Sequence, residues 1–257
     1  MEQAPKYKVF NRDMMKYIAI FFMFWGHLFA WVNLMRDKDY DQTALPVWMQ
    51  IVIHFSLFCP TVMFFFIADG YHYTRDRKKY AVRLAVFAVI TQFSEWLVFQ
   101  PVYGWWTGNV IADLFFGLVI LCVWECDWKR WKRILLIIGL LGLNALCMSP
   151  WMIGGPIRIL CLHCFRKKPK ARLISYTLLV LLYCVLSAFG ISPDAASPVM
   201  AYVNIAVEFA ASMLAYLCMT VLYNGKKGRH PNFAKWFFYV FYPAHYLVIY
   251  CAEYLTR

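Results

Sequence analysis

Apolar residues fill nine long runs along the chain, separated by short polar stretches. The runs cover residues of about 14–34, 47–70, 79–99, 108–126, 132–149, 151–165, 172–190, 200–223 and 236–255. Most reach the roughly 20 residues that a helix needs to cross a ~30 Å hydrocarbon core. The pattern predicts an all-α polytopic membrane bundle of about nine transmembrane helices, forming a single domain over residues 1–257. The sixth run is short and carries Gly154-Gly155-Pro156, which allows a tilted, broken or re-entrant element where protein covers the freed backbone.

Composition agrees with this reading: 62% of residues are hydrophobic and the mean hydropathy is +0.53. The net charge of +12 is not one patch. It is divided among clusters at the N-terminal end and in residues 75–83, 129–133, 166–172 and 226–235, leaving Arg36, Lys38, Arg158 and Arg257 outside them. If all nine runs cross, these clusters share one side. The positive-inside rule then predicts a cytoplasmic N-terminus and an external C-terminus, in a multi-pass protein of the inner cell membrane. Dispersed in this way, the charge implies partnership with a lipid bilayer and not with nucleic acid. Trp48, Trp105, Trp106, Trp128, Trp131 and Trp236 stand at run ends, as an interfacial aromatic belt would. Glu253, near the end of the last run, is expected at the interface as well. The charged stretch from Arg36 to Asp41 reads as a solvated connector, with a lid as the other possibility. Nine cysteines, mostly inside apolar runs, read as small buried apolar residues.

The candidate chemistry lies in the polar residues within the runs. Lys16 and His27 are eleven positions apart in the first run, near three helical turns, so they share a face about 16 Å apart along the axis. An ionisable group inside a membrane is a functional candidate by default. Cations at the cytoplasmic mouth (Lys16, Arg75, Arg83, and Arg158 deeper in) suit a phosphate-bearing donor. His27 suits general-base work on a hydroxyl or amine. Asn109, Asp113 and His245 are candidates to orient His27 or an acceptor. His54, Glu95 and Glu208 read as packing or hydrogen-bond partners. Cys161-Leu162-His163-Cys164 lacks a second ligand pair at zinc spacing, so no metal site is expected.

Three stretches resemble the TraX family. The first runs from Phe64 through Asp69-Gly70-Tyr71-His72-Tyr73-Thr74-Arg75 to Lys79-Tyr80-Ala81-Val82-Arg83-Leu84. The second is Asn109-Val110 followed by Leu114-Phe115-Phe116-Gly117-Leu118. The third is Lys235 through Phe241-Tyr242-Pro243-Ala244-His245. The resemblance implies N-terminal acetylation of a pilin, and distant kinship with the acyltransferase type 3 membrane enzymes. That group is characterised by an arginine, ten residues and then a histidine in its first span. Lys16 and His27 match the spacing, with lysine in place of arginine. The kinship implies an acetyl-CoA donor, with Arg83 or Arg75 at the place of an arginine that the group has at the start of its third span. It also implies a histidine base and an amine or hydroxyl acceptor, either a pilin amine or a glycan hydroxyl. A transporter of small polar solutes and a non-catalytic assembly factor remain the alternatives.

Overall fold

A computed structural model of the chain describes residues 7–104 and 107–256. Among them the regular structure is helical, with one isolated parallel bridge joining Phe10 to Tyr223. The helices are α1 (Arg12–Arg36), α2 (Val47–Phe55), α3 (Phe58–Tyr73), α4 (Arg77–Tyr103), α5 (Val110–Trp124), α6 (Arg130–Leu146), α7 (Gly154–Cys164), α8 (Pro169–Phe189), α9 (Pro198–Leu217) and α10 (Pro231–Leu255). Each of the nine apolar runs has its helical element, and the second run divides into α2 and α3. Trp105 and Trp106 lie outside the described residues. The other four belt tryptophans, Trp48, Trp128, Trp131 and Trp236, are exposed.

The division at Ser56 has a local cause. Pro60 has no N–H to donate to the carbonyl of Ser56, and its ring crowds that carbonyl. The chain uses tighter bonds there: the Ser56 and Leu57 N–H groups donate to Ile53 O and His54 O, and the Ser56 hydroxyl donates to Ile53 O at 2.6 Å. The break also lies at a close approach. A Cβ on Gly26 of α1 would stand 2.5 Å from the Cβ of Ser56.

Helix starts follow side-chain caps. Asn11, Asp76, Asn109 and Ser197 each accept backbone N–H bonds at the first turn of α1, α4, α5 and α9. Gly104, at φ 72°, closes α4 in the left-handed region that glycine adopts without strain.

Among the described residues, five elements are long and apolar enough to cross a membrane: Arg12–Arg36, Val47–Tyr73, Arg77–Tyr103, Pro169–Phe189 and Pro198–Leu222. Val110–Trp124 is a shorter apolar helix. The sixth run differs from its expectation as a span. Only Gly154–Cys164 is helical, 11 residues, which extend about 16 Å and reach about halfway through a hydrocarbon core.

The chain forms two compact units. Unit 1 comprises Met1–Val62 and Val180–Arg257, and unit 2 comprises Met63–Leu179. In unit 1, α1 packs on α2 and α10, and α2 packs on α9. In unit 2, α5 is central and touches α4, α6 and α7. Apolar side chains such as Phe21, Phe93, Leu135, Ile138, Leu186 and Val240 face outward, while Gln50, Asn109, Asp113, Asn144 and Asn204 are buried. That arrangement suits a lipid surround, where polar groups must find partners within the protein.

In unit 1, the connector from Arg36 to Asp41 leads into an interlocked turn. Asp41 accepts from Thr43 N and from Ala196 N, and Thr43 Oγ1 accepts from Ser197 N. Those backbone bonds, Ala196 first, hold the Asp41 carboxyl below the ordinary carboxylate range. Glu253, in the last turn of α10, is 4% exposed. All nine cysteines are free thiols.

Candidate functional site

The seam between α1 and α10 gathers Lys16, His27 and His245. The two helices run in the same direction. Lys16 Nζ lies 5.2 Å from the Phe238 ring at one end of the seam. Three turns along α1, His27 Nδ1 lies 3.2 Å from His245 Nε2. Ile20 and Met23, between Lys16 and His27, are buried, so the shared face does pack inward.

Hydrogen bonds fix the tautomers of this pair. His245 Nδ1 faces the carbonyl of Tyr242, which can only accept, so the proton of His245 sits on Nδ1. Its Nε2 is then a lone pair, and His27 must donate to it from Nδ1–H. The remaining ring nitrogen of His27, Nε2, carries a lone pair and has no hydrogen-bond partner among the described residues. His27 is partly exposed, whereas His245 is 1% exposed behind it. Aromatic rings hold both imidazoles. Trp31 stacks on His27 at 3.8 Å between centroids, Tyr246 stacks on Trp31 at 4.7 Å, and Phe241 lies parallel to His245 at 5.9 Å. An apolar groove along α10, lined from Asn232 to Ala244, ends one residue short of His245.

The other sequence candidates lie in unit 2. Asp113 is completely buried and saturated. Its Oδ1 accepts from Asn144 Nδ2 at 2.8 Å and Ser149 Oγ at 2.6 Å, and its Oδ2 accepts from Trp151 N at 3.2 Å. This network clips the turn between α6 and α7, where Met148 and Met152 adopt the left-handed φ values 50° and 40°. Asn109 caps α5 through its Oδ1 and donates through Nδ2 to Ala88 O and Gln92 Oε1. Both residues thus make their hydrogen bonds inside unit 2, where they hold structure.

The expected donor-binding cations differ in access. Arg75 is exposed in the turn between α3 and α4, and Arg83 is partly buried with its guanidinium 5.7 Å from the Tyr80 ring. Arg158 departs from the expectation. It is 2% exposed, with its guanidinium 4.8 Å from the Trp151 ring, so it is packed in the core of unit 2 and closed to a soluble phosphate.

One end of unit 2 also holds a cluster that the sequence reading did not assemble. Arg166 pairs with Asp69 at 3.2 Å and donates to the Tyr73 hydroxyl. His163 Nε2 lies 2.7 Å from Glu125 Oε1, and the His72 ring lies parallel to His163 at 4.8 Å. The Arg77 guanidinium covers the Tyr71 ring at 4.0 Å. The Asp69-Gly70-Tyr71-His72 motif was the available signal, but its partners Glu125, His163 and Arg166 are remote in sequence. Among the described residues, no group of three or more His, Cys, Asp or Glu side chains is placed to hold a metal ion.

A helical membrane protein with a partly exposed imidazole backed by a buried one is the class that this fold and site define. The TraX protein family model matches residues 11–252, and the chain belongs to that family. It is also 28% identical over 203 residues to a protein named "Probable fimbrial assembly protein FimC, serogroup H1" from Dichelobacter nodosus, covering 75% of this chain and 78% of the relative. No solved structure matches the chain.

Proposed function

We propose that this chain is an acetyltransferase of the inner membrane. It moves an acetyl group from acetyl-CoA to an amine or hydroxyl, with His27 as general base. The observation that carries this reading is the ordered relay from the Tyr242 carbonyl through His245 to His27. It leaves a basic nitrogen on the more accessible ring.

In this reading His27 Nε2 removes a proton as the acceptor nitrogen or oxygen attacks the thioester carbonyl. The tetrahedral intermediate collapses with loss of the coenzyme A thiolate, which takes the proton back from the His27 imidazolium. His245 holds the His27 ring in place and accepts from Nδ1–H, a bond that strengthens as His27 gains charge. Lys16, three turns from His27 on the same face of α1, is the cation offered to the donor's phosphates. Arg158, being buried, has no part in this.

The family and the name of the fimbrial relative support a pilin as the acceptor. The same name favours a second reading, a non-catalytic assembly factor. One experiment separates the two. The protein is purified in nanodiscs and given radiolabelled acetyl-CoA with a pilin N-terminal peptide. Transfer by the wild type, its loss in His27→Ala and competition by free coenzyme A support the enzyme. Full transfer by His27→Ala removes the base assignment, and no binding of acetyl-CoA by folded wild-type protein removes the enzyme reading.

A further inference from the structure

Trp31 stands one helical turn beyond His27 on α1, so the two side chains share a face of that helix. Their rings are stacked, at 3.8 Å between centroids and 24° between planes. Tyr246 of α10 is stacked on the same indole, at 4.7 Å and 13°. Stacked rings stand about 3.5 Å apart, so these centroid distances put both His27 and Tyr246 largely over the indole. Two rings so placed on one face would overlap each other. They therefore lie on opposite faces, and Trp31 is the middle layer of a three-ring stack.

Consecutive residues of α10 thus restrain His27 in two ways. His245 Nε2 engages one edge of the imidazole, at Nδ1. Tyr246, 1% exposed, backs the indole that covers one face of the imidazole. The hydrogen bond selects which edge of the ring turns toward α10, but it leaves the ring free to tilt about that contact. The indole blocks the tilt, because a ring leaving the parallel orientation would drive an edge into it. Edge and face together aim Nε2 away from His245. With both its faces covered, Trp31 offers no stacking platform to a sugar or another acceptor, and the face toward His27 serves that ring alone. An imidazolium at this distance lies within reach of cation–π attraction, which is strongest for tryptophan.

We propose that Trp31 is the positioning residue of the His27 base. It fixes the plane of the imidazole, and its indole face stabilises the imidazolium formed when Nε2 takes the acceptor's proton. The second part rests on the reading of His27 as general base; the first part does not.

The first measurement uses the full chain in nanodiscs with no acetyl donor, so its result is independent of acetyl transfer. With isotope-labelled histidine, NMR observes the coupling transmitted across the N–H···N bond between His27 and His245, assigned by its loss in His27→Ala. The coupling should be present in the wild type and in Trp31→Phe, which keeps a flat face. It should be lost in Trp31→Leu and Trp31→Met, which fill apolar space without one; thermal unfolding identifies which of the two folds as the wild type does. The second measurement is acetyl transfer. In the leucine and methionine variants kcat should fall about 10- to 100-fold with KM for acetyl-CoA unchanged, and in Trp31→Phe it should stay within about fivefold of the wild type. Loss of the coupling as expected, in a protein whose wild type transfers nothing, removes the enzyme reading and leaves the ring-fixing role in place. The proposal is overturned by a wild type without the coupling, by a folded leucine or methionine variant that keeps it, or by a folded Trp31→Phe that loses it. A rise in KM with kcat unchanged overturns it as well.

Discussion

The His27–His245 pair and the Asp113 network are both polar groups set among apolar helices, yet they are built in opposite ways. Around Asp113 each carboxylate oxygen receives a donor, and the donors come from the turn that the network closes. Among the described residues only one ring nitrogen of His27 has a partner, and the second keeps a lone pair on a partly exposed ring. Saturation marks a clip, and a free ring nitrogen backed by an ordered partner is what the proposed base requires. An intramembrane ionisable residue deserves functional suspicion, but the hydrogen-bond inventory decides whether the suspicion holds. It separates two residues that the sequence alone would nominate together.

Breaking each side should therefore give opposite signatures. The largest effect is expected from His27→Ala. Acetyl transfer should fall by about 10²- to 10⁴-fold, the usual contribution of a general base, with little change in unfolding temperature. Asp113→Ala should do the reverse. Trp151 N–H would lose this acceptor, while Asn144 Nδ2 keeps the Met152 carbonyl and the Ser149 hydroxyl can turn to Asn144 Oδ1, so chemical denaturation in detergent should show a loss of about 1–3 kcal/mol. Transfer per folded molecule should change little. A variant with intact stability and no transfer would move Asp113 from clip to chemistry.

His245→Gln is a finer probe, because glutamine keeps an acceptor for His27 but not the ring that fixes its plane. A drop of about 10- to 100-fold in kcat, with KM for acetyl-CoA unchanged, is expected of a residue that positions the base. Gly26→Ala should cost about 1–3 kcal/mol, since its methyl group would overlap Ser56 at the α2–α3 break.

The smallest effect concerns Asp41, whose folded-state carboxyl is held below the ordinary range by the Ala196 and Thr43 N–H groups. Such a group stabilises the fold above its unfolded pKa, and its contribution disappears as pH falls through the lower folded value. The unfolding temperatures of wild type and Asp41→Asn should thus differ near neutral pH and converge in acid. A constant difference down to pH 2 would show that the contact acts through shape alone.

Much of the helical layout was legible in the sequence. The nine apolar runs and the caps at Asn11, Asp76, Asn109 and Ser197 are local signals, and helix formation in an apolar chain is governed by local hydrogen bonding and by the length of the apolar stretch. Pro60 could have foretold the break in the second run. The eleven-residue interval from Lys16 to His27 fixed their common face for the same reason, since helical phase is a property of spacing. The candidate site was legible only in its first member.

That His245 lies behind His27, that Asp113 and Asn109 are clips, that Arg158 is sealed under Trp151, and that Glu125, His163, Asp69 and Arg166 converge were decided by the tertiary structure. So was the pairing of His54 with Glu208. Each depends on which helix faces which, and on which backbone carbonyl stands beside a ring nitrogen. The sequence by itself determined where the helices lie and which polar residues they carry, because both follow from near neighbours. Only the packing of distant helices decided which of those polar groups are satisfied and which keep a lone pair to use, because a hydrogen bond requires its partner within about 3 Å.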